Sequence, residues 1–147
     1  MFSSIVVGTD GSQTAGEAVR QAVALAAQLG ARIHIVSAYE PVPAARLHEE
    51  SRQVPEDLQW MVKPREDVDA TLRQAAERGE EAGVETEVYA RQGDPADAIL
   101  DVAEEQGADL IVVGNKGMTG AKRFLLGSVP NKVSHHAPCS VLIIRTT

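Results

Sequence analysis

The feature that most constrains this chain is a repeated change of hydrophobic period. Ile5-Val6-Val7 is a short continuous apolar run closed by Gly8-Thr9-Asp10-Gly11-Ser12, the pattern of a strand buried on both faces and followed by a turn. From Thr14 onward the apolar residues Ala15, Ala18, Val19, Ala22, Val23, Ala26 and Leu29 instead share one face of a helix. Thr14 and Glu17 have capping-box spacing, and Gly30 supplies a left-handed stop. Ile33-His34-Ile35-Val36-Ser37-Ala38 then returns to strand. Strand, helix and strand in that order make a βαβ unit.

The alternation persists through the rest of the chain. Pro64 suits the first turn of a helix with Val68, Leu72, Ala75, Ala76 and Ala82 facing inward and Gly83 ending it. Val84-Glu85-Thr86-Glu87-Val88-Tyr89 alternates, as expected of an edge strand with one wetter face. Asp94 as N-cap and Pro95 at the first position open a third helix, which buries Ala98, Ile99, Val102 and Ala103 and stops at Gly107. Capping and the positive helix end account for Asp94 and Asp97 without a catalytic carboxylate pair. Leu110-Ile111-Val112-Val113 is a second continuous strand, a short helix runs from Ser128 through Val133 and His136, and Ser140-Val141-Leu142-Ile143-Ile144 is the last strand. Residues 40–63, with Pro41, Pro43, Pro55 and Trp60, interrupt the rhythm as a surface excursion in which Trp60 serves as a packing anchor.

These elements predict one domain over residues 1–147, an α/β three-layer sandwich with a five-stranded, mostly parallel sheet and helices on both faces. If the chain winds outward through strands two and three and then crosses to place strand four beyond strand one, the order is 3-2-1-4-5. A crevice then opens beyond the carboxyl ends of strands one and four, where such sheets bind ligands. The order 2-1-3-4-5 would bring different loops together. In the first winding, Gly8-Thr9-Asp10 faces Gly114-Asn115-Lys116-Gly117.

The second of those loops belongs to a longer glycine stretch that ends at Gly127-Ser128, where a helix opens. Glycines let backbone N–H groups approach a phosphate, Ser128 adds a hydroxyl, and the helix adds the positive end of its dipole. The same glycines also suit a plain turn. A formal charge of −7 argues against general nucleic-acid binding, although a single nucleotide needs only local charge. One cysteine, Cys139, excludes an intramolecular disulfide, no run approaches the roughly 18 apolar residues of a membrane span, and no signal-peptide pattern opens the chain. The expected location is cytoplasmic, with no membrane partner.

In combination the motifs resemble the universal stress protein family of the nucleotide-binding kind. Gly114, Gly117, Gly127 and Ser128 fit its pattern of glycine, two residues, glycine, nine residues, glycine and a hydroxyl residue. Val6-Val7-Gly8-Thr9-Asp10-Gly11-Ser12, Gly93-Asp94-Pro95 and His136-Ala137-Pro138-Cys139-Ser140-Val141-Leu142-Ile143-Ile144 also match, and only residues 40–63 fall outside the likeness. The resemblance implies an adenine nucleotide, ATP or AMP, received by Gly114, Gly117, Gly127, Ser128 and Val129. Gly8, Thr9 and Asp10 lie across the crevice from these, with Asn115 on the Gly114 side. The Ala38 backbone reads the adenine edge, and Val113 lines the apolar wall. The Val112–Asn115 and Leu125–Pro130 segments and the Arg145-Thr146-Thr147 ending also look like members that bind cyclic AMP. A homodimer through the last strand is implied as well.

Charge adds a constraint. Asp10 beside a polyphosphate is repulsive unless a divalent cation such as magnesium bridges the two, or the carboxylate accepts hydrogen bonds from the nucleoside. Lys116, Lys122 and Arg123 are either phosphate partners or solvated loop charges. No Lys precedes Ser128 as in a P-loop, and no Ser-His-Asp set or zinc spacing is present. Weak ATP hydrolysis is the most that the pattern suggests. His34 reads as a strand side chain, His135 and His136 as helix-end residues, and Cys139 as inert.

Overall fold

The computed structural model describes residues 1–39, 65–115 and 126–146. Its elements run β1 (Ser4–Gly8), α1 (Gln13–Leu29), β2 (Arg32–Tyr39), α2 (Arg65–Glu81), β3 (Thr86–Gln92), α3 (Pro95–Glu105), β4 (Leu110–Gly114), α4 (Ser128–His136) and β5 (Ser140–Ile144). The sheet order is β3-β2-β1-β4-β5, and every pairing is parallel. That is the 3-2-1-4-5 winding, so the carboxyl ends of β1 and β4 lie side by side at the switch point. Pro64, Trp60 and the rest of the expected excursion fall outside the described residues.

Period-two alternation within the central strands explains why both faces are covered. Ile5, Val7, Ile33, Ile35, Leu110 and Val112 pack with Val19, Ala22, Val23 and Ala26 of α1 and Val68, Leu72 and Ala75 of α2. Val6, Val36, Ile111 and Val113 point the other way, onto Ala98, Ile99, Val102 and Ala103 of α3 and Val133 of α4. Continuous apolar runs are thus two half-sets of core residues serving two helical layers.

Local chemistry shifts some boundaries. Ser12, not Thr14, caps α1: its Oγ accepts from the Ala15 N–H at 3.2 Å. Glu17 is consequently free of capping and instead accepts from Arg20 and Gln21. In α2 the inward positions are Val68, Leu72, Ala75 and Gly79, while Ala76 is half-buried and Ala82 lies beyond the helix, exposed. Gly79 is there because the helix meets β3 closely; a Cβ on it would overlap the Thr86 side chain. Val84 is buried ahead of β3, and the strand itself runs on to Gln92. Among the described residues no helix is long and apolar enough to cross a membrane.

Candidate functional site

The turn after β1 is braced by its own polar groups. The Thr9 N–H donates to the Val36 carbonyl at 2.9 Å, extending the β1–β2 ladder by one residue. Thr9 Oγ1 accepts from the Gly11 N–H at 3.2 Å and Asp10 Oδ1 from the Ser12 N–H at 2.9 Å, two successive side-chain turns of the kind these residues favour. Gly11 sits at φ +82°, and a Cβ there would also come within 2.7 Å of Thr71 Oγ1, so its conformation and its contact both call for glycine. Thr9 is buried as a result, and Asp10 is held at the rim with one oxygen already engaged.

The opposite wall is built differently. Gly114 ends β4 with negative φ, and a Cβ on it would stand 3.5 Å from Thr146 Cγ2, an ordinary contact. Among the described residues, neither packing nor backbone conformation therefore demands glycine here. Beside it α4 begins with Gly127 as N-cap at φ −63°, ψ 168°, with no side-chain cap bond. Pro130 has no N–H and the Asn131 N–H is taken by the Gly127 carbonyl at 3.0 Å, so the helix offers the Ser128 and Val129 amides together with the exposed Ser128 hydroxyl.

These walls border an open cleft whose enclosed part is small, about 70 Å³. Gly8, Thr9, Asp10, Val113, Gly114, Ser128 and Val129, all expected from the sequence, line it. Ala38, Asn115 and Gly127 do not appear in the lining: Ala38 is buried near the end of β2, and Asn115 and Gly127 are joined by an N–H to carbonyl bond of 3.2 Å at the cleft's base. Gly117, Lys116, Lys122 and Arg123 lie outside the described residues. Ser12, Thr14, Ala15, Ile99, Pro130 and Thr146, not expected from the sequence, also line the cleft. Ile99 had a signal of its own, because Gly8 lies opposite it and a Cβ on Gly8 would stand 2.4 Å from Ile99 Cδ1.

The described lining carries one carboxylate, Asp10, and neither Lys nor Arg. No cluster of three or more His, Cys, Asp or Glu occurs among the described residues.

Other candidates have structural explanations. Asp94 accepts from the Asp97 N–H at 3.0 Å as the N-cap of α3, and Lys132 of α4 reaches both carboxylates, at 3.3 Å and 2.9 Å. The carboxylate pair thus ties two helices together, a role no local pattern signals. His34 is almost fully buried, 2.9 Å through Nδ1 from the Tyr89 hydroxyl, which itself donates to Glu87 at 2.8 Å. Since that hydroxyl proton is spent on Glu87, His34 is the Nδ1–H donor. Burial pushes the imidazole below its usual range and so keeps it neutral. Burial likewise raises the Cys139 thiol, which is unreactive in that state. His135 and His136 occupy the last turn of α4.

Comparison with known proteins places this architecture. The family model described as the universal stress protein family matches residues 1–145. A universal stress protein of Mycobacterium tuberculosis is 38% identical over 149 residues, covering 99% of this chain and 98% of its own length. The universal stress protein YxiE of Bacillus subtilis is 37% identical over 148 residues, with 99% and 100% covered. Among solved structures, a universal stress protein crystallised in complex with cAMP superposes with a TM-score of 0.73 at 34% identity, covering 99% of this chain and 98% of its own. One from Archaeoglobus fulgidus in complex with dAMP does so at 0.67 and 26%, with 98% of each chain covered.

Proposed function

This chain belongs to the universal stress protein family, and from that premise we propose that it is a regulatory protein that holds an adenine nucleotide in the cleft beyond β1 and β4. The observation that carries the reading is the convergence of bare main chain at Gly114 and the uncapped start of α4 on one cleft, with Thr9 and Asp10 opposite. Helix N-terminal amides are a ready anion site, and the Ser128 hydroxyl adds a donor that rotates to suit. On this reading Gly114, Ser128 and Val129 receive the phosphate, with Gly117 and Gly127 completing the glycine pattern. Asn115 stands at the base, Gly8 and Val113 form the apolar floor, Thr9 and Asp10 take the ribose, and the Ala38 main chain takes the adenine edge. Two relatives crystallised with cAMP and dAMP support the ligand class.

Within that class, cyclic AMP is a second reading that two observations favour. Among the described lining residues the phosphate meets helix dipole and hydroxyl, with Asp10 as the one charge, so a singly charged phosphodiester is easier to accommodate than a triphosphate. ATP would bring magnesium to offset that repulsion. The relative solved with cAMP is also 34% identical.

The test is mass spectrometry of ligand released from purified protein, followed by calorimetric titration with ATP, AMP and cyclic AMP in competition. Ser128→Ala and Gly114→Val should weaken whichever nucleotide binds. Absence of binding by all three at millimolar concentration overturns the reading.

Association belongs to the same proposal. β5 lies at the edge of the sheet and exposes Leu142 and Ile143, an apolar edge suited to pairing with a second copy. Sedimentation should find a dimer at micromolar concentration that Ile143→Asp dissociates.

A further inference from the structure

Asn115 stands one residue past β4 and bonds to three residues in two parts of the chain, the start of α4 and the end of β5. Its N–H donates to the Ile144 carbonyl at 2.9 Å, carrying the β4–β5 ladder one step beyond the paired residues. Its carbonyl oxygen accepts from the Gly127 N–H at 3.2 Å, so the chain leaves β4 and returns to α4 at the same point. Its side-chain Oδ1 accepts twice from Thr146, from the N–H at 2.9 Å and from the hydroxyl at 3.1 Å. The first two bonds are main-chain bonds that any residue but proline could make. The third needs an acceptor of this length at this position.

Thr146 in turn lines the cleft, and its Cγ2 is the atom nearest to where a Cβ on Gly114 would stand. With its hydroxyl spent on Asn115, the threonine presents its methyl group beside the open main chain of Gly114. The segment after β5 is thereby made into a wall of the cleft, although the sheet itself ends at Ile144.

We infer that Asn115 is a positioning residue of the ligand cleft, and that the wall it positions is Thr146. Asn115 does not touch the ligand. It fixes the rotamer of Thr146 and the gap between Gly114 and the start of α4, and through Thr146 it connects the cleft to β5. The inference rests on the nucleotide reading above.

Only the acceptor oxygen of Asn115 is used toward Thr146, which makes the decisive comparison Asn115→Asp against Asn115→Leu. The first keeps the acceptor and the second removes it at similar size. Adenosine is the probe, because it carries no charge for the new carboxylate to repel. Calorimetry should show Asn115→Leu weakening adenosine by about tenfold or more, the equivalent of one or two lost hydrogen bonds, with Asn115→Asp within about threefold of the wild type. Cyclic AMP should be weakened by both variants, the aspartate acting through like charge. In the unliganded protein, amide exchange at Thr146 should accelerate in Asn115→Leu and not in Asn115→Asp, a readout independent of ligand.

A folded Asn115→Leu that binds adenosine as tightly as the wild type overturns the inference, as does an Asn115→Asp equally weak toward adenosine. Should Asn115→Leu fail to fold, Thr146→Val carries the test, since it keeps the main-chain bond and loses the hydroxyl one. Its adenosine binding should fall by about three- to fivefold, and unchanged binding overturns the inference. Wild-type protein that binds none of ATP, AMP and cyclic AMP overturns the nucleotide reading and this inference with it, whereas wild-type nucleotide binding beside an unaffected Asn115→Leu overturns the inference alone.

Discussion

Gly8 offers a sharp test of how the cleft is built, because packing and ligand contact give different expectations for Gly8→Ala. The residue closes β1 with negative φ, so alanine meets no backbone strain. Its Cβ would stand 2.4 Å from Ile99 Cδ1 and 3.0 Å from Cγ1, against ordinary contacts of 3.4–4 Å. The offending atom is the far end of a side chain only 3% exposed that is packed in the core on one side and borders the cleft on the other, so it must turn toward the cleft or strain its neighbours. Overpacking of that kind costs about 1–3 kcal/mol. Ile99→Val alone removes Cδ1 and costs about 0.5–1.5 kcal/mol. In the double variant the atom that alanine strikes is gone and only the 3.0 Å approach remains, so alanine should cost little beyond Ile99→Val. Urea unfolding of the wild type, both single variants and the double variant gives the coupling as a double-mutant cycle, which should favour the double variant by about 1 kcal/mol or more. Additivity within about 0.3–0.5 kcal/mol would show that Gly8 is not glycine on account of Ile99.

Three further outcomes follow from individual contacts. Lys132→Met removes the bridge from α4 to Asp94 and Asp97, but the groups are about half exposed, so thermal and urea unfolding should register at most about 1 kcal/mol, less at high salt. Glu17, held by Arg20 and Gln21, has its carboxyl lowered from 4.5 to about 2; because the folded value lies below the unfolded one, its contribution is present above pH 4.5 and lost as pH falls through about 2. Carboxyl NMR titration should place Glu17 there, and Arg20→Gln should return it toward 4.5. Tyr89 is pushed up from 10.0 to about 12, by burial first and then by its bond to Glu87, so its contribution is complete below pH 10 and lost as pH rises through about 12. Ultraviolet titration should show one late tyrosine that shifts down in Glu87→Gln.

Much of this was legible in the chain because the rules involved are local. The switch from continuous apolar runs to 3.6-residue spacing marks each strand and helix, while the choice of the 3-2-1-4-5 winding over 2-1-3-4-5, which sets Thr9 and Asp10 opposite Gly114, is not local and is given by the sheet itself. What the sequence rules missed has two causes. Thr14 and Glu17 have capping-box spacing, yet Ser12 reaches the Ala15 amide first, after a turn fixed by Thr9 and Asp10. Asn115 reads as a crevice residue, yet its side chain is engaged by Thr146, 31 positions away. Lys132 meets a carboxylate 38 positions away. The Ser12 cap is a local choice between neighbouring hydroxyl residues, whereas the last two partners are chosen by tertiary proximity, which no spacing in the sequence encodes.

Glycine shows where structure adds information that sequence cannot. Gly8, Gly11, Gly79 and Gly114 look alike in the chain, and any of them could be a turn, a close contact or a ligand position. Three are accounted for inside the protein, by Ile99, by Thr71 with a positive φ, and by Thr86. Gly16 has nothing within 4 Å, and nothing in the structure explains it. Gly114 alone of these combines negative φ, room for a Cβ and a place in the cleft lining. Among the described residues nothing occupies the space where a Gly114 side chain would stand. Gly114 also lies beside a helix start with no side-chain cap, and on the reading proposed above a phosphate would suit that pair.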